Sequence, residues 1–277
     1  MTATDARPAP ESPVAPAVAA AVPLAVRARD VLTSERTKLL SLRSTYWTLL
    51  VAVATPIGLS SLVAVTLANA PGQGAQRVDP LLPGLISLEY AVLAVGVLGV
   101  LTFSAEFSTG LIRTTFIAVP CRRAVLAAKS AVLGAVTLVA GEVVAFASFG
   151  LVQAVLSGKH LGVSLSRPGV AGAVLADGLL LFVVAIMGLG LGAIVRHTAG
   201  GIAALVGLII LPGILALLPP PWGARVGRFT LVDAARQVTA LHPATNLFAP
   251  AWSLLVLLAW PAAVLLAAAV AVTHRDA

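Results

Sequence analysis

Charge is what this chain has least of. Only 10% of its 277 residues are Asp, Glu, Lys or Arg, and 59% are apolar, where soluble domains average about 25% charged and roughly 45–50% apolar. A water-facing surface cannot be built from so few ions, so an ordinary soluble enzyme is excluded. Cysteine is just as scarce. Cys121 stands alone, which rules out an internal disulfide, and no Cys or His lies beside it at metal-ligand spacing. His160, His197, His242 and His274 are dispersed without paired spacing, so no metal site is expected from them. The sequence also lacks GxxxxGK[ST], whose backbone amides and Lys cradle nucleotide phosphates. It therefore cannot hydrolyse ATP by a P-loop mechanism, and it is not expected to be an enzyme. His242 and Asp233 share a connection, but no GxSxG nucleophile elbow accompanies them.

What the chain does have is apolar length. Mean hydropathy is +1.01, and six apolar runs are read as spans at 46–68, 85–104, 124–156, 170–195, 199–218 and 252–272. Each supplies the ~20 residues an α-helix needs to cross a ~30 Å hydrocarbon core. The expected fold class is an all-α integral membrane protein with six transmembrane helices. The third run exceeds one bilayer, so it tilts or extends into the cytosol. Residues 1–25 are rich in Ala, Pro and Val, without a basic start, and Pro13, Pro16 and Pro23 interrupt their apolar stretch. They read as a disordered cytosolic tail rather than a secretory signal. Residues 26–277 read as one six-helix domain without a convincing internal repeat.

Fifteen of the eighteen basic residues are Arg, and the net charge is +7. Alternate connections carry 12 Lys and Arg on one side and 6 on the other. The positive-inside rule then places both termini in the cytosol. The basic excess marks orientation, not nucleic-acid binding. Pro56 and Pro212 fall inside spans, where neighbouring helices can satisfy the freed carbonyls. Gly188 and Gly192 stand at GxxxG spacing in the fourth span. That spacing allows close helix approach, read as packing within one subunit ahead of a dimer seam.

Two segments carry the functional reading. In 26–44, VRARDVLTSERTKLLSLRS, the residues Leu32, Leu39 and Leu42 fall near one helical face, with Arg36, Lys38 and Arg43 largely on the other. Such a helix would lie in the membrane interface; a solvated helix before the membrane is the alternative. In 104–130, SAEFSTGLIRTTFIAVPCRRAVLAAKS, the residues Glu106, Gly110 and Arg113 are spaced i, i+4 and i+7, which predicts one helical face. A helix here ends before Pro120. Arg122, Arg123 and Lys129 anchor the entry of the third span, with Lys129 snorkelling.

These two segments, read as SERTKLLSLRSTYWTLL and EFSTGLIRTTFIAVPCRRAVLAAKS, resemble the membrane subunit of type-2 ATP-binding cassette transporters of bacteria with GC-rich genomes. The sixth span followed by THRDA continues the likeness, although Phe107 stands where Tyr is common. The resemblance implies an interfacial elbow helix bearing Arg36, Lys38 and Arg43, and a cytosolic coupling helix that docks on an ATPase through Glu106, Phe107, Gly110 and Arg113. It implies a multi-pass permease in the bacterial plasma membrane, paired with a second copy or a homologous permease. ATP and Mg would be bound by the separate ATPase subunit, and no cofactor by this chain.

Three carboxylates fall within spans: Glu89, Glu142 and Asp177. A charged group at the bilayer centre costs ~2.5–3.5 kcal/mol on insertion scales, which makes each a functional candidate. Glu142, near the middle of the third run, reads equally as a proton relay or path contact and as a hydrogen-bonded carboxyl at a helix interface. Glu89 and Asp177 can approach the outer headgroups and read as structural. An ion-coupled secondary transporter using these carboxylates is the second functional reading, and a non-transporting anchor the third. The connection 219–250 reads as a rigid turn followed by an amphipathic helix over 231–241, which the resemblance implies closes the exit. Trp222, Phe229 and Trp252 suit the interface as aromatic anchors.

Overall fold

The computed structural model describes residues 28–69, 81–159, 161–215, 217–219, 222–240, 244, 245 and 247–274, without the side chains of residues 82, 85–89 and 224. The tail at 1–25 and the side chain of Glu89 therefore lie outside the described residues. All regular structure among them is helical. In chain order the helices are α1 (Ala28–Ser41), α2 (Arg43–Ala68), α3 (Leu82–Ser108), α4 (Leu111–Ala118), α5 (Arg122–Ser157), α6 (Val170–Val195), α7 (Thr198–Leu215), α8 (Trp222–Gly227), α9 (Leu231–Thr239) and α10 (Pro250–His274). Six of them, α2, α3, α5, α6, α7 and α10, are long and apolar enough to cross a membrane. Each overlaps an apolar run read from the sequence and differs by at most a turn at its ends. The 36 residues of α5 extend about 54 Å at 1.5 Å per residue, well beyond one hydrocarbon core.

Burial sorts the six. In the apolar stretch of α6 72% of residues are buried, against 11% in α7, so α6 is the axis of the bundle and α7 lies at its edge. Around α6 pack α3, α5 and α10. Glycine is what lets them come so close. A Cβ on Gly188 would run into the Gly96 carbonyl of α3, and one on Gly192 would lie 2.6 Å from the Val100 carbonyl. The GxxxG pair therefore seats α6 on α3 within one chain, as the sequence reading favoured. A second glycine contact, between Gly141 and Gly178, joins α5 to α6 in the same way.

Because successive spans run in opposite directions, α1, α4 and the C-terminal end of α10 share one end of the bundle, and α8 and α9 share the other. Cations tie the first end together. Arg122 Nη1 donates to the Val272 carbonyl at 3.1 Å and Arg196 Nη2 to the Ala271 carbonyl at 3.3 Å. Both act on the last turn of α10, where unpaired carbonyls favour positive charge. Proline lies inside α2 and α7 at Pro56 and Pro212, and also inside α10 at Pro261.

Candidate functional site: a buried ion cluster beneath a surface helix

The sequence reading of the first helix changes on inspection of its faces. Val31, Glu35 and Leu39, spaced by four, are its buried residues, while Leu32 and Leu42 are exposed. Arg36 is exposed, as expected of the polar face, but Arg43 belongs to α2, because the extended backbone of Leu42 separates the two helices. A glutamate at the centre of a buried stripe needs partners, and it has two. Glu35 Oε2 lies 2.6 Å from Lys129 Nζ of α5, and Glu35 Oε1 lies 3.0 Å from Lys38 Nζ.

Glu106, on the last turns of α3, completes the cluster. Its Oε1 accepts from Lys129 at 2.7 Å and from Lys38 at 3.0 Å. Each lysine thus bridges both glutamates, and the four charges sum to zero. Glu35, Glu106 and Lys129 are all buried, Lys129 at 2% exposure. Lys129 therefore does not snorkel. Its ammonium is drawn inward by two carboxylates and sits 5.8 Å from the centroid of the Phe103 ring. Burial pushes the Lys38 ammonium down, but hydrogen bonds and attraction from Glu106 and Glu35 outweigh it and hold the group above its ordinary value. Glu106 Oε2 is buried and has no hydrogen-bond partner among the described residues.

The cluster reaches a fourth helix. Lys38 Nζ donates to Thr115 Oγ1 of α4 at 3.3 Å, and a groove of about 310 Å³ runs between α1 and α4 past Glu35, Lys38 and Thr115. The predicted single face of Glu106, Gly110 and Arg113 does not form. Gly110 adopts a left-handed backbone with φ of 75°, a conformation open to glycine at little cost, and it separates α3 from α4. Glu106 consequently points into the bundle while Arg113 is exposed on α4. Phe107 also turns inward. It packs 5.7 Å from Phe103, and the Arg196 guanidinium stacks 5.0 Å from its ring. α4 stops at Ala118, short of Pro120. Ile112 anchors it below, Arg122 stacks on its Phe116, and Leu111 and Ile117 are exposed.

The intramembrane carboxylates form a separate group. Glu142 is half-buried against the backbone of Gly178. Asp177, expected near the outer headgroups, is instead buried. It lines a small, partly open space of about 20 Å³ with Gly84, Phe149 and Thr239, room for about one water molecule. Asp177 Oδ1 and Glu142 Oε2 have no hydrogen-bond partner among the described residues. No group of three or more His, Cys, Asp or Glu side chains comes together among those residues.

At the far end, the described residues of the 219–250 connection form two short helices, α8 and α9, where a rigid turn and one helix were expected. Thr230 Oγ1 accepts from the Asp233 amide and caps α9, the orphan-donor contact a Thr at this position supplies. α9 ends at Thr239, and Gln237 fastens it to the carbonyls of Ala244 and Phe248. Trp222, Phe229 and Trp252 are exposed around it.

The sequence reading missed Glu35 altogether and gave Lys129 the wrong role. Compared with known proteins, the chain matches no family model and no curated relative.

Proposed function

We propose that this chain is the membrane-spanning permease subunit of an ATP-driven exporter, forming its path with a second copy or a homologue and driven by a separate ATPase subunit. The observation that carries this reading is the Glu35–Lys38–Glu106–Lys129 cluster, in which all but the half-buried Lys38 are buried. It joins α1, α3 and α5, and through Thr115 it joins α4, whose outer surface presents Arg113, Leu111 and Ile117. A soluble partner pressing on α4 would move the ends of two spans and the interfacial helix as one body. Rigid-body transmission of this kind is how subunit motion reaches a membrane path.

On this reading α1 is the elbow helix, α4 is the coupling helix, and the end of the bundle that carries them faces the cytosol of a bacterial plasma membrane. ATP and Mg act on the partner. Closure of the ATPase pair pushes on α4 and shifts the path from inward-open to outward-open. The test is to extract the tagged full chain in mild detergent from its native membranes and identify stoichiometric companions by mass spectrometry. A P-loop protein recovered with the parent and lost with Arg113→Glu is the expected result; recovery of the chain alone, stable to cross-linking, would overturn it.

The orphan oxygens of Asp177 and Glu142 favour a second reading, an ion-coupled secondary transporter that uses them as carriers. It requires that Glu142→Gln stop transport and that an uncoupler do so without ATP depletion. The permease reading requires that transport survive the uncoupler while ATP is maintained.

A further inference from the structure

We infer that Asp177, at the crossing of α5 and α6, binds one small monovalent cation, a proton or an alkali ion, in the space beside the end of α9. Asp177 is 8% exposed, and neither it nor Glu142 forms an ion pair among the described residues. Asp177 Oδ1 and Glu142 Oε2 are buried without a hydrogen-bond partner there. A bare carboxylate is among the costliest groups to take out of water, and it is neutralised by whichever cation reaches it.

The surroundings select the sign and the size of the ligand. Thr239 is buried beside Asp177 in the lining of the space. Its hydroxyl proton goes to the Ala235 carbonyl at 3.0 Å, which leaves it only oxygen lone pairs to offer a ligand. No other described lining side chain carries a polar atom. On α3, a Cβ at Gly84 would lie 3.4 Å from Asp177 Oδ2, yet the Gly84 amide donates to the Leu81 carbonyl at 3.1 Å and not to the carboxylate. Acceptors thus line the space without a side-chain donor, which complements a cation and disfavours an anion. A volume of about 20 Å³ admits a body the size of one water and excludes an organic cation. Glu142 adds negative charge nearby, because a Cβ at Gly178, next to Asp177, would lie 2.8 Å from Glu142 Cδ. The other described charges on the elements packed around Asp177 face elsewhere. On α9, Arg236 is exposed and Asp233 stands on the first turn, while Glu106 of α3 and Lys129 of α5 pair with each other at the opposite end. The site shares its carboxylates with the secondary-transporter reading but does not rest on it, since an ion held here need not cross the membrane.

The test uses the full chain in detergent, in choline buffer free of alkali ions. The probe is dicyclohexylcarbodiimide, an apolar reagent. A protonated carboxyl adds its oxygen to the central carbon and its proton to a nitrogen, and the adduct rearranges to a stable acylurea with every atom retained. Modification of Asp177, mapped by mass spectrometry, is expected, with a yield that falls as pH rises. Replacing choline with sodium at constant pH and ionic strength separates the two ions. Saturable protection by sodium assigns an alkali ion that competes with the proton, and a yield indifferent to sodium assigns the proton alone. Thr239→Val keeps the shape and removes one oxygen ligand, so it is expected to shift the half-point in the governing ion about fivefold, the worth of one hydrogen bond. An unchanged half-point would overturn the placement beside Thr239. A parent yield at Asp177 that is zero in alkali-free buffer, or constant across pH and sodium, would overturn the cation site without recourse to any variant. Neither transport nor a partner is measured, so that failure is distinct from failure of either transport reading.

Discussion

At the scale of single residues, Lys129 has the most to lose. It is a buried cation held by two buried carboxylates, and removing one partner from such a cluster leaves uncompensated charge. Lys129→Met is expected to cost about 3–5 kcal/mol, read as a lower thermal midpoint in detergent. Adding Glu106→Gln should recover part of that loss, because Glu35 and Lys38 then remain as a balanced pair. A double variant less stable than Lys129→Met alone would contradict the charge-balance reading. Lys38 gives the pH dependence. Its folded value is raised above the ordinary 10.5, so its contribution is fully present below about pH 10.5 and is lost as pH rises through the raised value. Protease resistance of α1 should therefore be flat through neutral pH and fall only in the alkaline range; a fall near neutrality would contradict it. None of this was legible locally. Glu35 sits in SERTK, a stretch of the expected interfacial helix in which only Arg36 and Lys38 are singled out, and its partner Lys129 is 94 positions away. The surviving signal is its place in the stripe Val31, Glu35, Leu39, which becomes visible only when the acid is read as part of the apolar face.

At the scale of elements, hydropathy and length made all six long helices readable, because the cost of burying backbone in lipid is set by each segment's own composition. The end of α3 was not readable in this way. The spacing of Glu106, Gly110 and Arg113 implies one face only if the helix is continuous, and the left-handed backbone at Gly110 breaks it. Gly110→Ala places a Cβ in that conformation, which costs about 1–2 kcal/mol, and is expected to weaken partner capture while leaving α3 and α5 protected from exchange. Capture equal to the parent's would show that the turn is not needed. Packing glycines were partly readable. GxxxG marked Gly188 and Gly192, but their partners Gly96 and Val100 in α3 required the structure. Gly188→Ala is expected to overpack the α3–α6 seam, costing about 1–3 kcal/mol. Gly207→Ala, with open space around its Cβ, should be neutral or stabilising by up to about 1 kcal/mol. Equal thermal midpoints for the two variants would contradict the close-approach reading.

At the scale of the whole molecule, orientation and partner decide the function. The described helices put α1, α4 and the end of α10 together, and the single cysteine, Cys121, is exposed at the α4–α5 junction of that same end. If that end is cytosolic, a membrane-impermeant maleimide labels Cys121 in inverted vesicles and leaves it unmodified in intact cells; the reverse pattern would place α4 outside and remove it from any cytosolic ATPase. The central claim is that α4 is where a soluble ATPase pushes. Its most direct test is a photo-crosslinking residue at position 117, where Ile117 is 80% exposed, activated in native membranes. The predicted adduct is a P-loop protein, formed with the parent and lost when Arg113→Glu is added. Adducts only to lipid or to a second copy of the chain, at full expression, would contradict the claim.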